Sequence, residues 1–122
     1  MVAAIVEHEG EVVLVRSHGW PEKFFGLVTG FLEAGETPQQ GVLREVKEEL
    51  DLEAEIVSLV GAYSFELRNE LIVAFHVRAA GVLKLGAELA GFKRVDPAKL
   101  RAWEFGTGLA VRDWLLRRPS GS

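Results

Sequence analysis

Between positions 44 and 52 the chain reads Arg44-Glu45-Val46-Lys47-Glu48-Glu49-Leu50-Asp51-Leu52, which puts three carboxylates within five residues. Glu45 and Glu48 stand at i and i+3, Glu45 and Glu49 at i and i+4. On a helix all three project over one patch of surface. Like charges at that spacing repel by roughly 0.2–0.5 kcal/mol per pair on an exposed helix. A hard divalent cation reverses the sign, since magnesium takes oxygen ligands, keeps several waters and bridges one or two carboxylates to substrate phosphates. The same run also fits a solvated acidic face, relieved by Arg44 and Lys47. The helix by itself does not choose between the two.

The elements that would position this patch can be read from pattern and punctuation. Thr37 can cap the helix, Pro38 suits its first turn, and Gln40 completes a capping box. Val42, Leu43, Val46 and Leu50 recur at helical spacing, so this face should pack on a sheet. Upstream, Val2 to Glu7 and Glu11 to Arg16 suit an antiparallel hairpin turned at Glu9-Gly10. Ser17 to Lys23 reads as a loop, Phe24 to Val28 as a short strand, and Gly30 to Gly35 as a turn-rich lead into the helix. Downstream, Leu52 to Phe65 and Glu70 to Arg78 form a long hairpin through Leu67-Arg68-Asn69. Val82 to Leu85 and Phe92 to Val95 read as further short strands, and Asp96-Pro97 opens a helical turn. A last helix begins at Gly106-Thr107-Gly108, with an apolar stripe of Ala110, Val111, Trp114 and Leu115. Residues 117–122 are expected to be a loose tail.

Counted backwards from the acidic run, Gly30 is followed by five residues, Glu36, seven residues, and then Arg44-Glu45-Val46-Lys47-Glu48-Glu49-Leu50-Asp51-Leu52. This resembles the Nudix box: Gly, five of any type, Glu, seven of any type, Arg-Glu, an aliphatic, any, Glu-Glu, any, Gly, an aliphatic. At residue frequencies of about 7% for Gly and about 6% for each charged type, such a match arises by chance in roughly one chain per million. The pattern is therefore specific. Asp51 stands where the family has glycine. That glycine ends the helix in a left-handed conformation, which Asp adopts more readily than most residues do. The departure touches helix termination and no metal ligand. We expect Asp51→Gly to stabilise the chain.

The resemblance implies an α/β fold, an α/β/α sandwich with a mixed sheet between helices, and a metal-dependent pyrophosphohydrolase. It implies a cation, Mg2+ with Mn2+ able to substitute, on Glu48, Glu49 and Glu45, with the Gly30 carbonyl as a further ligand. Glu36 and Arg44 would hold the loop against the helix. Glu48 and Glu49 would serve catalysis. Some relatives add a glutamate from a later loop, and Glu88-Leu89 with Phe92 four residues on resembles that context. Glu66 and Glu70 at the hairpin tip are weaker candidates. Tyr63 and Phe65, like Trp20 and Phe24, could stack on a base or simply fill the core. Arg68 is a further substrate-binding candidate. His76 reads as a packed or surface strand residue, and Trp103 and Trp114 as packing for the last helix.

Composition bounds the rest. A chain of 122 residues, 48% of them hydrophobic, suits a single domain over residues 1–122. Cysteine is absent, which excludes disulfides and thiol nucleophiles and fits a reducing compartment, with the cytoplasm as the expected location. Glu7, Glu9 and Glu11 interrupt the apolar start well short of a membrane span. A net charge of -4 argues against sequence-independent nucleic-acid binding. A homodimer is an expectation from the resemblance alone. Leu27 to Glu36 looks like the NADH pyrophosphatase branch, although its later Ser-Gln-Pro-Trp-Pro-Phe-Pro run is missing. The substrate is thus expected to be a nucleoside diphosphate linked to another moiety: NADH, ADP-ribose, a nucleotide sugar or a dinucleoside polyphosphate. The alternative is a non-catalytic nucleotide-binding module, whose usual sign, loss of a box glutamate, is not seen.

Overall fold

The computed structural model describes residues 1–118. Of the tail expected at 117–122, residues 119–122 lie outside the described residues, while Arg117 is the last residue of a helix. Six strands, β1 (Val2–His8), β2 (Glu11–Ser17), β3 (Val28–Gly30), β4 (Glu53–Phe65), β5 (Glu70–Ala80) and β6 (Leu89–Val95), form one mixed sheet. Its order is β4-β5-β1-β2-β6, with β3 paired to β1. β1 and β5 run parallel, Val2 opposite Val73 through His8 opposite Ala79, and the other pairings are antiparallel.

Helices α1 (Pro38–Leu50) and α2 (Gly108–Arg117) cover opposite faces of this sheet. Along β1 the alternation of side chains sends Val2, Ala4 and Val6 into the core under α1 and Ala3 and Ile5 into the core under α2. Val42, Val46 and Leu50 close the first core, and Ala110, Val111 and Trp114 the second. β1 is buried on both faces, which is why it reads as an apolar run without polar alternation. This is the expected α/β/α sandwich.

The sheet carries one irregularity that matters for function. β1 pairs with β2 only over Val6–His8, and below that point the two strands diverge. The segment from Gly26 to Gly30 fills the wedge, Gly26 bridging Val15 of β2 and Val28–Gly30 pairing with Ala4 to Val2 of β1. The strand expected over Phe24 to Val28 therefore begins four residues later, because Phe24 is held in an aromatic cluster, stacked on Trp20 with ring centroids 5.3 Å apart.

A second expectation is corrected at Val82 to Leu85, which is not a strand. Its amides serve the end of α1 instead: Lys84 N–H donates to the Leu50 carbonyl and Gly86 N–H to the Glu49 carbonyl, each at 2.9 Å. Carbonyls of a helix's last turn have no partner within the helix, so this segment supplies it. Leu83 and Leu85 pack against the core beneath α1, which accounts for their apolar character.

Candidate functional site

α1 begins as its sequence dictates. The Thr37 hydroxyl accepts from Gln40 N–H at 3.1 Å, and the Gln40 side chain accepts from Thr37 N–H at 3.0 Å. One turn in, Arg44 organises the surroundings. Its Nε and Nη2 donate to the two oxygens of Glu36 at 2.7 and 2.9 Å, a bidentate pair, and Nη2 also donates to the Phe31 carbonyl at 3.0 Å. Nη1 reaches Glu45 at 2.8 Å and Glu48 at 3.2 Å. Arg44 holds the Glu36 carboxyl down to about 2 and is itself held further above its usual range. Glu36 in turn accepts from Glu33 N–H at 2.9 Å, so the loop before α1 is tied to the helix through this carboxylate. The positioning role expected for Glu36 and Arg44 has this geometric basis.

Gly30 lies at the end of β3, directly beside the Glu45 side chain. A Cβ on Gly30 would occupy the space of the Glu45 carboxylate, which explains why the position takes glycine. Glu45 is 13% exposed and Glu48 57%, so the acidic patch grades from the sheet outward. Glu49 is the most unusual member. Burial, then the charge of Glu45 and a carboxyl hydrogen bond shared with it, then the charges of Glu88 and Glu48, push its carboxyl up to about 8. Its Oε2 is buried with no hydrogen-bond partner among the described residues, a condition shared only with Glu70 Oε2. Burial likewise raises Glu45. Glu45, Glu48 and Glu49 thus crowd one part of α1, and the charge of Glu88, from the loop before β6, is felt at Glu49.

On the α2 side of the sheet a cavity of about 320 Å3 opens, lined in part by Gly26, Leu27 and Thr29 of the wedge. Trp20, Phe24, Trp103 and Phe105 form one wall, and Thr29, Phe65 and Arg68 line it as well. Phe24 is the hub, stacked on Trp20 and meeting Trp103 and Phe105 edge-on at 6.3 and 5.8 Å. An apolar, aromatic hollow that Thr29, one residue before Gly30, helps to line suits the flat ring of a ligand.

A model of the NUDIX domain matches residues 1–113. The chain belongs to the Nudix family. Over 71 residues, 57% of the chain, this Nudix domain is 39% identical to an NAD-capped RNA hydrolase, NudC, of Mycobacterium tuberculosis, and the match covers 23% of that relative. It is 41% identical over 64 residues to an ADP-ribose pyrophosphatase of Methanocaldococcus jannaschii, covering 52% of the chain and 38% of the relative. The chain therefore matches well under half the length of these curated relatives. The crystal structure of an ADP-ribose pyrophosphatase from Streptococcus suis has the same fold, with a TM-score of 0.76 at 18% identity over 99% of the chain and 92% of its own.

The donor set of this Nudix site can be tested against the divalent cation that the family implies. Among the described residues no three acidic, histidine or cysteine side chains form a ready metal cage, and Arg44 Nη1 stands on Glu45 and Glu48 instead. A cation that retains waters and shares substrate phosphates needs only one or two carboxylates from the protein. The buried, partnerless oxygen of Glu49, crowded by three other acids, fits that requirement.

Of the residues named as stacking or substrate-binding candidates, Phe65, Arg68, Trp20 and Phe24 line the cavity. Tyr63 does not. Its hydroxyl donates to Asp113 of α2 at 2.6 Å, where burial and that carboxylate push it up to about 12, so it ties β4 to α2. His76 is buried, 2.8 Å from Glu7 and against the Trp114 ring, the packed role expected of it. Trp103 and Phe105 were not foreseen in the cavity wall. Their signal in the sequence is an aromatic pair just before the Gly106-Thr107-Gly108 turn, separable from helix packing only once the fold brings them to Phe24.

Proposed function

We propose that the protein is a metal-dependent pyrophosphohydrolase that cleaves the phosphoanhydride bond of a nucleoside diphosphate linked to a second moiety. The observation that carries this reading is the buried Glu49 oxygen that has no hydrogen-bond partner among the described residues, on a helix that also carries Glu45 and Glu48. Glu45, Glu48 and Glu49, with the Gly30 carbonyl, would hold Mg2+ or Mn2+. When bound, such a cation neutralises charge on the scissile phosphates and acidifies a water. Glu88, whose charge acts on Glu49, is the residue we assign to accepting that water's proton. Arg44 keeps Glu45 and Glu48 aimed at the site. The aromatic wall holds a base or nicotinamide-like ring and keeps bulk water from that end of the substrate.

Relatives named NAD-capped RNA hydrolase and ADP-ribose pyrophosphatase support substrates in which a nucleoside diphosphate is joined to ribose or to another nucleotide. The test is phosphate release, coupled to a phosphatase, across NADH, NAD, ADP-ribose, nucleotide sugars, dinucleoside polyphosphates and NAD-capped RNA, with and without Mg2+ or Mn2+. Turnover that requires the metal and favours one group is expected. Tight binding of these ligands with no turnover on any would instead establish a binding module.

A further inference from the structure

Behind the aromatic wall lies a second groove of about 560 Å3 that the reaction above does not use. It shares Phe24, Trp103 and Phe105 with the first cavity, so the two are back to back across one layer of rings. Lys23, Lys93, Lys99 and Arg101 line it, and no carboxylate does. All four cations are exposed, and none forms an ion pair among the described residues. Lys93 Nζ sits over the Phe25 ring, 5.0 Å from its centroid, and Phe105 is 52% exposed. The chain carries 14 cations against 18 anions, yet this face has a purely positive lining.

We infer that the groove is a binding site for the phosphodiester backbone of a single-stranded oligonucleotide continuing from the nucleotide in the aromatic cavity. The inference rests on the proposed function for the occupant of that cavity. Cations without ion pairs beside the exposed Phe105 ring match the chemistry of a single strand, whose phosphates meet the former and one of whose bases stacks on the latter. An acidic peptide would use the cations but not the rings. Net charge sets the long-range field, whereas binding at contact depends on the local arrangement, so an overall -4 does not exclude it.

The test measures fluorescence anisotropy of a 3′-labelled, 5′-phosphorylated single-stranded RNA of about ten nucleotides against the parent chain and a Lys93→Glu/Lys99→Glu/Arg101→Glu variant, over a series of salt concentrations. Small-substrate turnover is read in parallel. The variant is expected to lose RNA affinity by at least about ten-fold, and its salt slope to fall by about two, near 0.7 per phosphate contact removed. Turnover on ADP-ribose or NADH should stay within about two-fold of the parent. A Gln version of the same three positions, with melting temperature recorded, guards against misfolding and should show the same loss more weakly. Unchanged RNA affinity in a folded variant, an equal loss on small substrates, or a preference for an acidic peptide of matching charge would each overturn the inference. RNA binding without any hydrolysis would leave the groove standing and remove the hydrolase reading, and hydrolysis without RNA binding would do the reverse.

Discussion

Glu49 combines burial, crowding and one carboxylate oxygen without a hydrogen-bond partner among the described residues. Folding raises its carboxyl from the ordinary 4.5 to about 8. The neutral form is therefore favoured in the folded chain, a contribution complete below about pH 4.5 and lost as pH climbs through about 8. In the metal-free protein the melting temperature should fall between about pH 4.5 and 8 and level off above that, and Glu49→Gln should flatten that fall. Added Mg2+ should stabilise the parent most at the upper end, because binding to the folded state adds stability by mass action. A pH-independent melting temperature, alike in parent and Glu49→Gln, would contradict this. The neighbouring Glu48 is exposed and shares Arg44 with Glu45, so its loss should spare the fold. Glu48→Gln is expected to lower kcat by at least about 100-fold, the scale of a catalytic electrostatic contact, with an unchanged melting temperature. A fully active variant would remove the residue from the mechanism.

At the scale of elements, α1 was legible because its capping box and apolar spacing are local signals, and both are found as written. Its stop was legible too. Asp51 adopts the left-handed conformation, φ 57° and ψ 32°, that the family assigns to glycine. What spacing did not reveal is that the Asp51 carboxylate also pairs with Lys47 Nζ at 3.2 Å. Relief of the backbone by Asp51→Gly, about 1 kcal/mol, is thus partly offset by losing an exposed pair worth about 0.3–0.5 kcal/mol. A net gain of about 0.5 kcal/mol is expected by denaturant melts, and a loss would show the Lys47 contact to be the stronger effect. The segment after β5 was misread because Val82, Leu83 and Leu85 look like a strand, while their backbone partners are carbonyls of α1 distant in sequence. Gly86 is where this segment comes closest, its missing Cβ lying 2.6 Å from the Glu48 carbonyl oxygen. Backbone cannot yield there as a side chain would. Gly86→Ala should cost about 1–3 kcal/mol of stability and, by shifting Glu88, lower turnover beyond the stability loss.

Across the whole molecule, the divergence of β1 and β2 separates two tasks. The acids come from α1 and the loop before β6, on one side of the wedge, and the ring-binding wall comes from the loops after β2 and β6, on the other. Gly30 lies against Glu45, and its neighbour Thr29 lines the cavity. Sequence spacing exposed the first set because one helix carries three of the four acids. It hid Trp103 and Phe105 of the second, since they lie about 80 positions from Trp20 and Phe24 and join them only in the fold. This division predicts separable defects. Trp20 stacks on Phe24 in the cavity wall and touches none of the acids, so Trp20→Ala should weaken substrate binding without disturbing the cation. A base-stacking contact is worth about 1–3 kcal/mol, and 1.4 kcal/mol is about ten-fold in an equilibrium, so KM should rise roughly ten-fold. The Mg2+-dependent rise in melting temperature should match the parent's, whereas Glu49→Gln should abolish that rise and leave binding of the metal-free nucleoside end intact. If Trp20→Ala also erased the metal response, the wall and the acids would be one cooperative unit, and the wedge would be a hinge coupling them rather than a partition.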